Sequence, residues 1–257
     1  MTDTDAHATA LSGIENINLF DVPVASATLD DAVELIERAI DEEQPLNIGV
    51  VNAAKIVNMQ SDEHLRESVL SSDVIFADGM SLVWAARLLG KRLPERVAGI
   101  DLMYALFERG NETGFKIFCL GAEEWVYELV EERLRNEYPG VRMVGRSNGY
   151  FAEHEQADVA RQIRDSGADI LFVAMSSPHK ENFIARWEDE MNVTVTHGVG
   201  GSFDVFAGKV ARAPRSWQRA GLEWLYRLLQ EPRRLWRRYL YTNFTFLQMV
   251  ARSFSQR

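Results

Sequence analysis

Cysteine is nearly absent: the 257 residues hold one, Cys119, inside the apolar run KIFCLG. No internal disulfide can form, a reducing compartment fits, and the thiol reads as a buried strand residue. Long hydrophobic runs are missing too. None reaches the roughly 18 residues a bilayer span needs, and the first thirty residues are polar and acidic, which argues against export and against a transmembrane anchor. Phosphate-loop chemistry of the Walker type is excluded because G-K-[ST] does not occur. The segment GVGGSF at 198–203 lacks the third glycine of G-x-G-x-x-G, and no acidic residue follows at the distance a dinucleotide site requires. The histidines, His7, His64, His154, His179 and His197, lack zinc-site spacing. A D-x-D pair, the usual holder of a metal and a nucleotide diphosphate, occurs only as Asp3 and Asp5 in the polar N-terminal segment. A diphosphate bound here calls for side-chain cations rather than a protein-bound metal.

Positive charge is scarce in most of the chain and concentrated at its end. Residues 209–257 carry 11 Lys or Arg against 2 Glu, whereas residues 1–208 carry 17 against 36. A basic end on an acidic body suits a local anionic partner, such as phosphate groups, lipid head groups or nucleic acid. With 46% hydrophobic residues the chain has ample material for a core.

What is present alternates. The segments LNIGVV (46–51), DVIFA (73–77), FKIFCLG (115–121), VRMVG (141–145), DILFVAM (169–175) and VTVTHGVG (193–200) are short, apolar and rich in β-branched residues, and read as buried strands. Between them TLDDAVELIERAIDEE, EEWVYELVEERLRNEYPG, EQADVARQIRDSG and PHKENFIARWEDEM read as helices, the first opened by a capping box of Thr28 and Asp31. This alternation predicts an α/β fold: a mostly parallel, Rossmann-like sheet with helices on both faces. Three regions follow: a loose tail over 1–15, an α/β body over 16–208, and a basic helical appendage over 209–257 broken near Pro214 and Pro232.

In such sheets ligands sit beyond the carboxyl ends of the strands. The residues just past those ends are Asn52, Asp78 with Gly79, Gly121, and Ser176 to Lys180. A carboxylate between an apolar strand and a glycine is costly to bury without a purpose. For Asp78 that purpose is either to cap a following helix or to do chemistry. In the appendage, Arg227, Arg234 and Arg238 are spaced by seven and four with Arg237 adjacent, so part of the set can share a helix face. Guanidinium groups grip phosphate bidentately at about 1.5–3 kcal/mol per sheltered bond, and two or three together can stand in for a metal ion. Leu235, Trp236, Tyr239, Leu240, Phe244, Phe246 and Leu247 recur near helical spacing. They read either as packing against the body or as an interfacial membrane face.

Three stretches, ADGMSLVWAARLLGKRLPERVAGIDLM (77–103), GVGGSFDVFAGKVARAPRSWQRAGLEWLYRLLQEPRRLWRRYL (198–240) and the weaker VNAAKIVNM (51–59), resemble the WecG/TagA/CpsF glycosyltransferases of bacterial cell-surface polysaccharide synthesis. The resemblance covers residues 17 to 248. It implies transfer of a hexosamine, hexose or uronic-acid-type sugar from a UDP donor to a polyprenyl-diphosphate-linked sugar, with inversion, without a cofactor and without a required metal. It makes Asp78 the base and puts Asn52 and Arg96 at the substrate. Arg227, Arg234 and Arg237 would close over the donor diphosphate. The appendage would bring a cytoplasmic enzyme to the inner, anionic face of the membrane, and relatives point to self-association. Two departures stand out. Val50 replaces the threonine of a T-x-N pattern, and Pro178, His179, Lys180 and Glu181 stand where P-x-Q-E is common, so Lys180 adds positive charge beside Glu181. Two rivals from other classes are a nucleic-acid-binding module, which the acidic body disfavours, and a non-catalytic membrane scaffold.

Overall fold

The computed structural model describes residues 13–255. The Asp3 and Asp5 pair and most of the expected tail lie outside the described residues. The chain enters as a hairpin, β1 (Asn16–Leu19) and β2 (Val22–Ala25), turned by Phe20 and Asp21 at φ 57° and 61°. Asn18 Oδ1 accepts a hydrogen bond from the Asp21 N–H at 3.1 Å, which holds this left-handed turn without glycine. Helix α1 (Leu29–Asp41) follows, with the expected capping box: Thr28 Oγ1 accepts from the Asp31 N–H at 3.1 Å and Asp31 Oδ2 from the Thr28 N–H at 2.8 Å.

Six strands then build one all-parallel sheet: β3 (Leu46–Val51), β4 (Val74–Ala77), β5 (Lys116–Leu120), β6 (Arg142–Ser147), β7 (Ile170–Val173) and β8 (Val195–Gly198), in the order β4-β3-β8-β7-β5-β6. Each lies within or beside a segment read as a strand; β6 runs two residues further and β8 is trimmed at both ends. The crossovers carry α2 (Ala53–Asn58), α3 (Glu63–Leu70), α4 (Met80–Leu88), α5 (Gly99–Thr113), α6 (Glu124–Glu137), α7 (Gln156–Ser166) and α8 (His179–Met191). They cover both faces. One core joins α1, α5 and α6 to the sheet, a second lies under α2, α3 and α4, and a third under α7 and α8. Cys119 is fully buried in β5, where burial pushes its thiol far up. The β3–β4 connection leaves the sheet centre in one direction and β5–β6 in the other, so the strand order reverses beside β8. In open parallel sheets such a reversal is where the ligand crevice lies, beyond the carboxyl ends of the strands.

After α9 (Ser202–Phe206) no strand follows among the described residues. The chain continues as α10 (Arg215–Arg219), which starts after Pro214, then α11 (Glu223–Gln230) and the 24-residue α12 (Pro232–Ser255). Both expected breaks fall at helix starts, where proline costs no hydrogen bond. Helix α12 packs along α2, with Phe246 in the core that α2 covers; Leu235 and Thr242 are buried as well, and Phe246 meets Phe20 of the hairpin edge-on at 5.3 Å. Its other face is in water: Trp236, Leu240, Phe244 and Leu247 are 49%, 66%, 62% and 65% exposed. Packing and an unpartnered apolar face therefore coexist on one helix. Among the described residues no helix is long and apolar enough to cross a membrane.

Candidate active site

Strand β4 ends at Ala77, and the Asp78 N–H continues the ladder by donating to the Val51 carbonyl at 2.7 Å. Gly79 then takes φ 128°, ψ 141°, open to glycine alone, and turns the chain into α4 as its N-cap without any side-chain capping bond. The cap position of the helix falls on Gly79, so the Asp78 carboxylate does not fill it. Burial raises its proton affinity above the ordinary aspartate range, and Glu223 adds to this; Arg96, Arg227 and Lys55 pull it partly back. Asp78 is thereby a better base than a solvated aspartate, with cations close by.

The floor of the crevice comes from the body. Asn52, next to Asp78 across the ladder, caps α2 by accepting from the Lys55 N–H at 3.0 Å, which leaves its own amide N–H groups for other partners. That cap aims α2 so that the Lys55 ammonium reaches Glu181 Oε1 at 2.9 Å; Lys180 reaches the same oxygen at 3.0 Å. Glu181 Oε2 is buried and accepts nothing. Burial would raise the Glu181 carboxyl, but Lys180 and Lys55 outweigh it and hold it at about 2. Burial and the neighbouring Lys55 push the Lys180 ammonium down to about 8, against the opposing pull of Glu181 and Asp78. Its stem lies across Gly198 at the end of β8, where a Cβ would stand 2.7 Å from Lys180 Cδ, Cε and Nζ and push the stem aside. Beneath, His197 is fully buried and held neutral, its pKa pushed down to about 4 by burial; Nε2 donates to the Gly99 carbonyl at 3.0 Å and Nδ1 is unpartnered.

The roof comes from the appendage. Arg96 is placed by the Val97 N–H, which donates to the Ala77 carbonyl at 2.9 Å. Its guanidinium donates to Glu223 Oε2 at 2.8 Å, to Asp101 Oδ2 at 3.1 Å and to Gln218 Oε1 at 3.3 Å. Arg212 donates to Asp101 Oδ1 at 2.6 Å. Arg227, exposed on α11, is the appendage arginine whose charge acts on Asp78.

Asn52, Asp78, Gly79, Arg96, Lys180, Glu181 and Arg227 therefore gather at one crevice, with Lys55, Asp101, Arg212 and Glu223, none of which was singled out in the sequence. Lys55 had a signal, three residues after a cap at a strand end; the other three had none beyond their place in the long motifs. Three predicted residues stand apart. Gly121 (φ 117°) lies where the backbones of Ala174 and Gly149 cross at the ends of β5 and β7; a Cβ there would meet the Ala174 carbonyl carbon at 2.7 Å, so backbone fills its open side. Arg234 pairs with Glu231, the residue just before its helix, at 2.9 Å, and the Arg237 guanidinium lies 5.3 Å from the Trp236 ring centre. In this arrangement neither has a contact with Asp78.

A parallel α/β sheet with an uncapped carboxylate at a strand end, set among lysines and arginines, is the architecture of proteins that bind anionic ligands at the carboxyl edge. Residues 17–257 match the model of the glycosyl transferase WecG/TagA/CpsF family. Over 193 residues, 74% of this chain and 74% of the relative, the sequence is 39% identical to the N-acetylglucosaminyldiphosphoundecaprenol N-acetyl-beta-D-mannosaminyltransferase of Bacillus spizizenii (strain ATCC 23059 / NRRL B-14472 / W23). The chain belongs to the WecG/TagA/CpsF family of glycosyltransferases.

Proposed function

We propose that this glycosyltransferase moves a sugar from a UDP donor to a polyprenyl-diphosphate-linked sugar in cell-surface polysaccharide synthesis, with inversion at the anomeric carbon and Asp78 as general base. The observation that carries the reading is the uncapped Asp78 carboxylate, its proton affinity raised by burial, at the mouth of the sheet beside Lys55, Arg96 and Arg227. Asp78 takes the proton of the acceptor hydroxyl as that oxygen attacks the anomeric carbon from the face opposite UDP; one displacement inverts the centre. The bond from the anomeric carbon to the UDP phosphate oxygen breaks, and its electron pair leaves on UDP. Side-chain cations meet that charge. Arg227 is at hand, and Arg234 and Arg237 join if α12 pivots inward. Glu181 Oε2, a buried acceptor without a donor, suits a sugar hydroxyl or amide N–H.

The Bacillus spizizenii relative is named for transferring N-acetyl-β-D-mannosamine onto N-acetylglucosaminyldiphosphoundecaprenol. That favours an N-acetylhexosamine donor and an acceptor of that type here, ahead of a hexose or a uronic acid. The exposed face of Trp236, Leu240, Phe244 and Leu247, flanked by arginines, suits peripheral attachment to an anionic bilayer, where the lipid-linked acceptor resides. The test is transfer from UDP-N-acetylhexosamines to a short-chain polyprenyl-diphosphate-linked N-acetylglucosamine. Product with the inverted anomeric configuration is expected, and its absence with every UDP-sugar tried would remove the reading.

A further inference from the structure

The Arg96 and Arg212 guanidiniums, 96 in the body and 212 at the root of the appendage, converge on one place from two sides. Asp101 orients both, at 3.1 Å and 2.6 Å, and so fixes two cations whose forks face the same opening. What fills the opening is the carboxylate of Glu223, at the first turn of α11. The fit is one-sided. Glu223 Oε2 accepts from Arg96 at 2.8 Å, but Oε1 stops 3.6 Å from Arg212 Nε, too far for a hydrogen bond, and that buried N–H has no partner at all. A buried guanidinium N–H without an acceptor is costly, so the site is incompletely satisfied by the carboxylate it holds. A tetrahedral phosphate offers three oxygens where a carboxylate offers two, and two arginine forks suit it better.

We propose that Arg96 and Arg212 form an anion subsite for the substrate diphosphate, and that Glu223 is a stand-in carboxylate that occupies it until phosphate displaces it. The proposal rests on the donor reading above and extends it to two residues, Arg212 and Glu223. It makes α11 responsive: once Glu223 is displaced, the helix that also carries Arg227 loses one of its ties to the body. It also accounts for a carboxylate close to the base Asp78, which otherwise works against ionisation there.

The experiment measures affinity for pyrophosphate and for UDP by calorimetry, and the ligand-induced rise in Tm, in the full chain. Glu223→Gln removes the competitor, so both anions should bind about threefold to tenfold more tightly and pyrophosphate should raise Tm more than in the wild type. Arg212→Gln should bind both at least tenfold more weakly. Equal or weaker binding by a folded Glu223→Gln overturns the proposal and leaves Glu223 as a pin for the appendage. If Glu223→Gln does not fold, Arg212→Lys decides, since it keeps the charge and loses the fork: binding at least threefold weaker supports the subsite, and unchanged binding overturns it. Failure here is distinct from failure of the donor reading, which Asp78→Asn turnover and wild-type UDP binding test without Glu223.

Discussion

The floor and the roof of the Asp78 crevice are built differently. The floor is body: Lys55, Lys180 and Glu181 lie on two helices and against a strand, with Lys180 and Glu181 8% and 6% exposed. Two ammonium groups share one carboxylate oxygen, and a glycine makes room for one of the stems. The roof is appendage laid on body: Arg96, Arg212, Asp101 and Glu223 are part-exposed, both arginines bond to Asp101 of the body, and Arg96 also bonds to Glu223, on an appendage helix that another ion could draw away. Low dielectric and close packing make the floor a fixed surface, since breaking one of its pairs strands a buried charge. At the roof, water can replace a lost partner, so its ion pairs can exchange with a substrate anion. That contrast suits the proposed division of labour, in which a base needs a fixed seat and a diphosphate clamp has to open and close.

The largest effect should come from the residue between them. Asp78→Asn should lower kcat by about a thousandfold, within the range general-base removal gives, while UDP affinity stays within about twofold. A fall in kcat of less than about tenfold would mean that floor and roof do their work without this base.

Next comes the floor. Glu181→Gln leaves two buried ammonium groups without their carboxylate and should cost about 3 kcal/mol, a Tm drop of roughly 6–12 °C for a chain of this size. The sign with pH follows. The Glu181 pKa is lowered from 4.5 to about 2 in the fold, so its stabilisation is full above 4.5 and is lost as pH falls toward 2. Acid titration of unfolding should show that loss in the wild type and not in Glu181→Gln; identical curves would make the floor as loose as the roof.

The roof should respond in binding before stability. Arg227→Ala is expected to weaken UDP about tenfold or more, the worth of one sheltered charge-assisted bond, with Tm little changed because the side chain is exposed. Lys180→Gln removes a cation that favours ionised Asp78, so the acidic limb of kcat/KM should move to higher pH. The smallest expected change is the stability of Arg234→Ala. Its pair with Glu231 is exposed and worth about 0–1 kcal/mol, so Tm should hold within about 2 °C. Loss of transfer activity in that variant would show that the residue leaves Glu231 for the substrate.

The sheet was legible because its strands are buried on both faces and so read as continuous apolar runs. The β1–β2 hairpin was not, because Phe20 and Asp21 make its left-handed turn where the usual signal is Asn-Gly. Helices α2 to α5 had no expectation from periodicity: α2 and α3 are short, and α4 and the start of α5 were quoted only within a long motif. In the site, Asn52 and Asp78 could be found from position alone, as the first polar residues past strand ends. What Asp78 is not, a cap, required the backbone of Gly79. The bond between Arg96 and Glu223 spans 127 positions and depends on how α11 lands on the body, which no local pattern encodes. For Arg234 and Arg238, spacing with Arg227 suggested one face, with Arg237 adjacent, but the break at Pro232 puts all three on a different helix from Arg227.

The central claim is that a fixed carboxylate at the end of β4 deprotonates the acceptor while cations hold the diphosphate. Its most direct test is a paired measurement on the wild type and Asp78→Asn: UDP affinity by calorimetry, and transfer from a UDP-N-acetylhexosamine to a short-chain polyprenyl-diphosphate-linked N-acetylglucosamine. Unchanged affinity with turnover down about a thousandfold is the predicted result; turnover within about tenfold of the wild type at unchanged affinity would contradict the account.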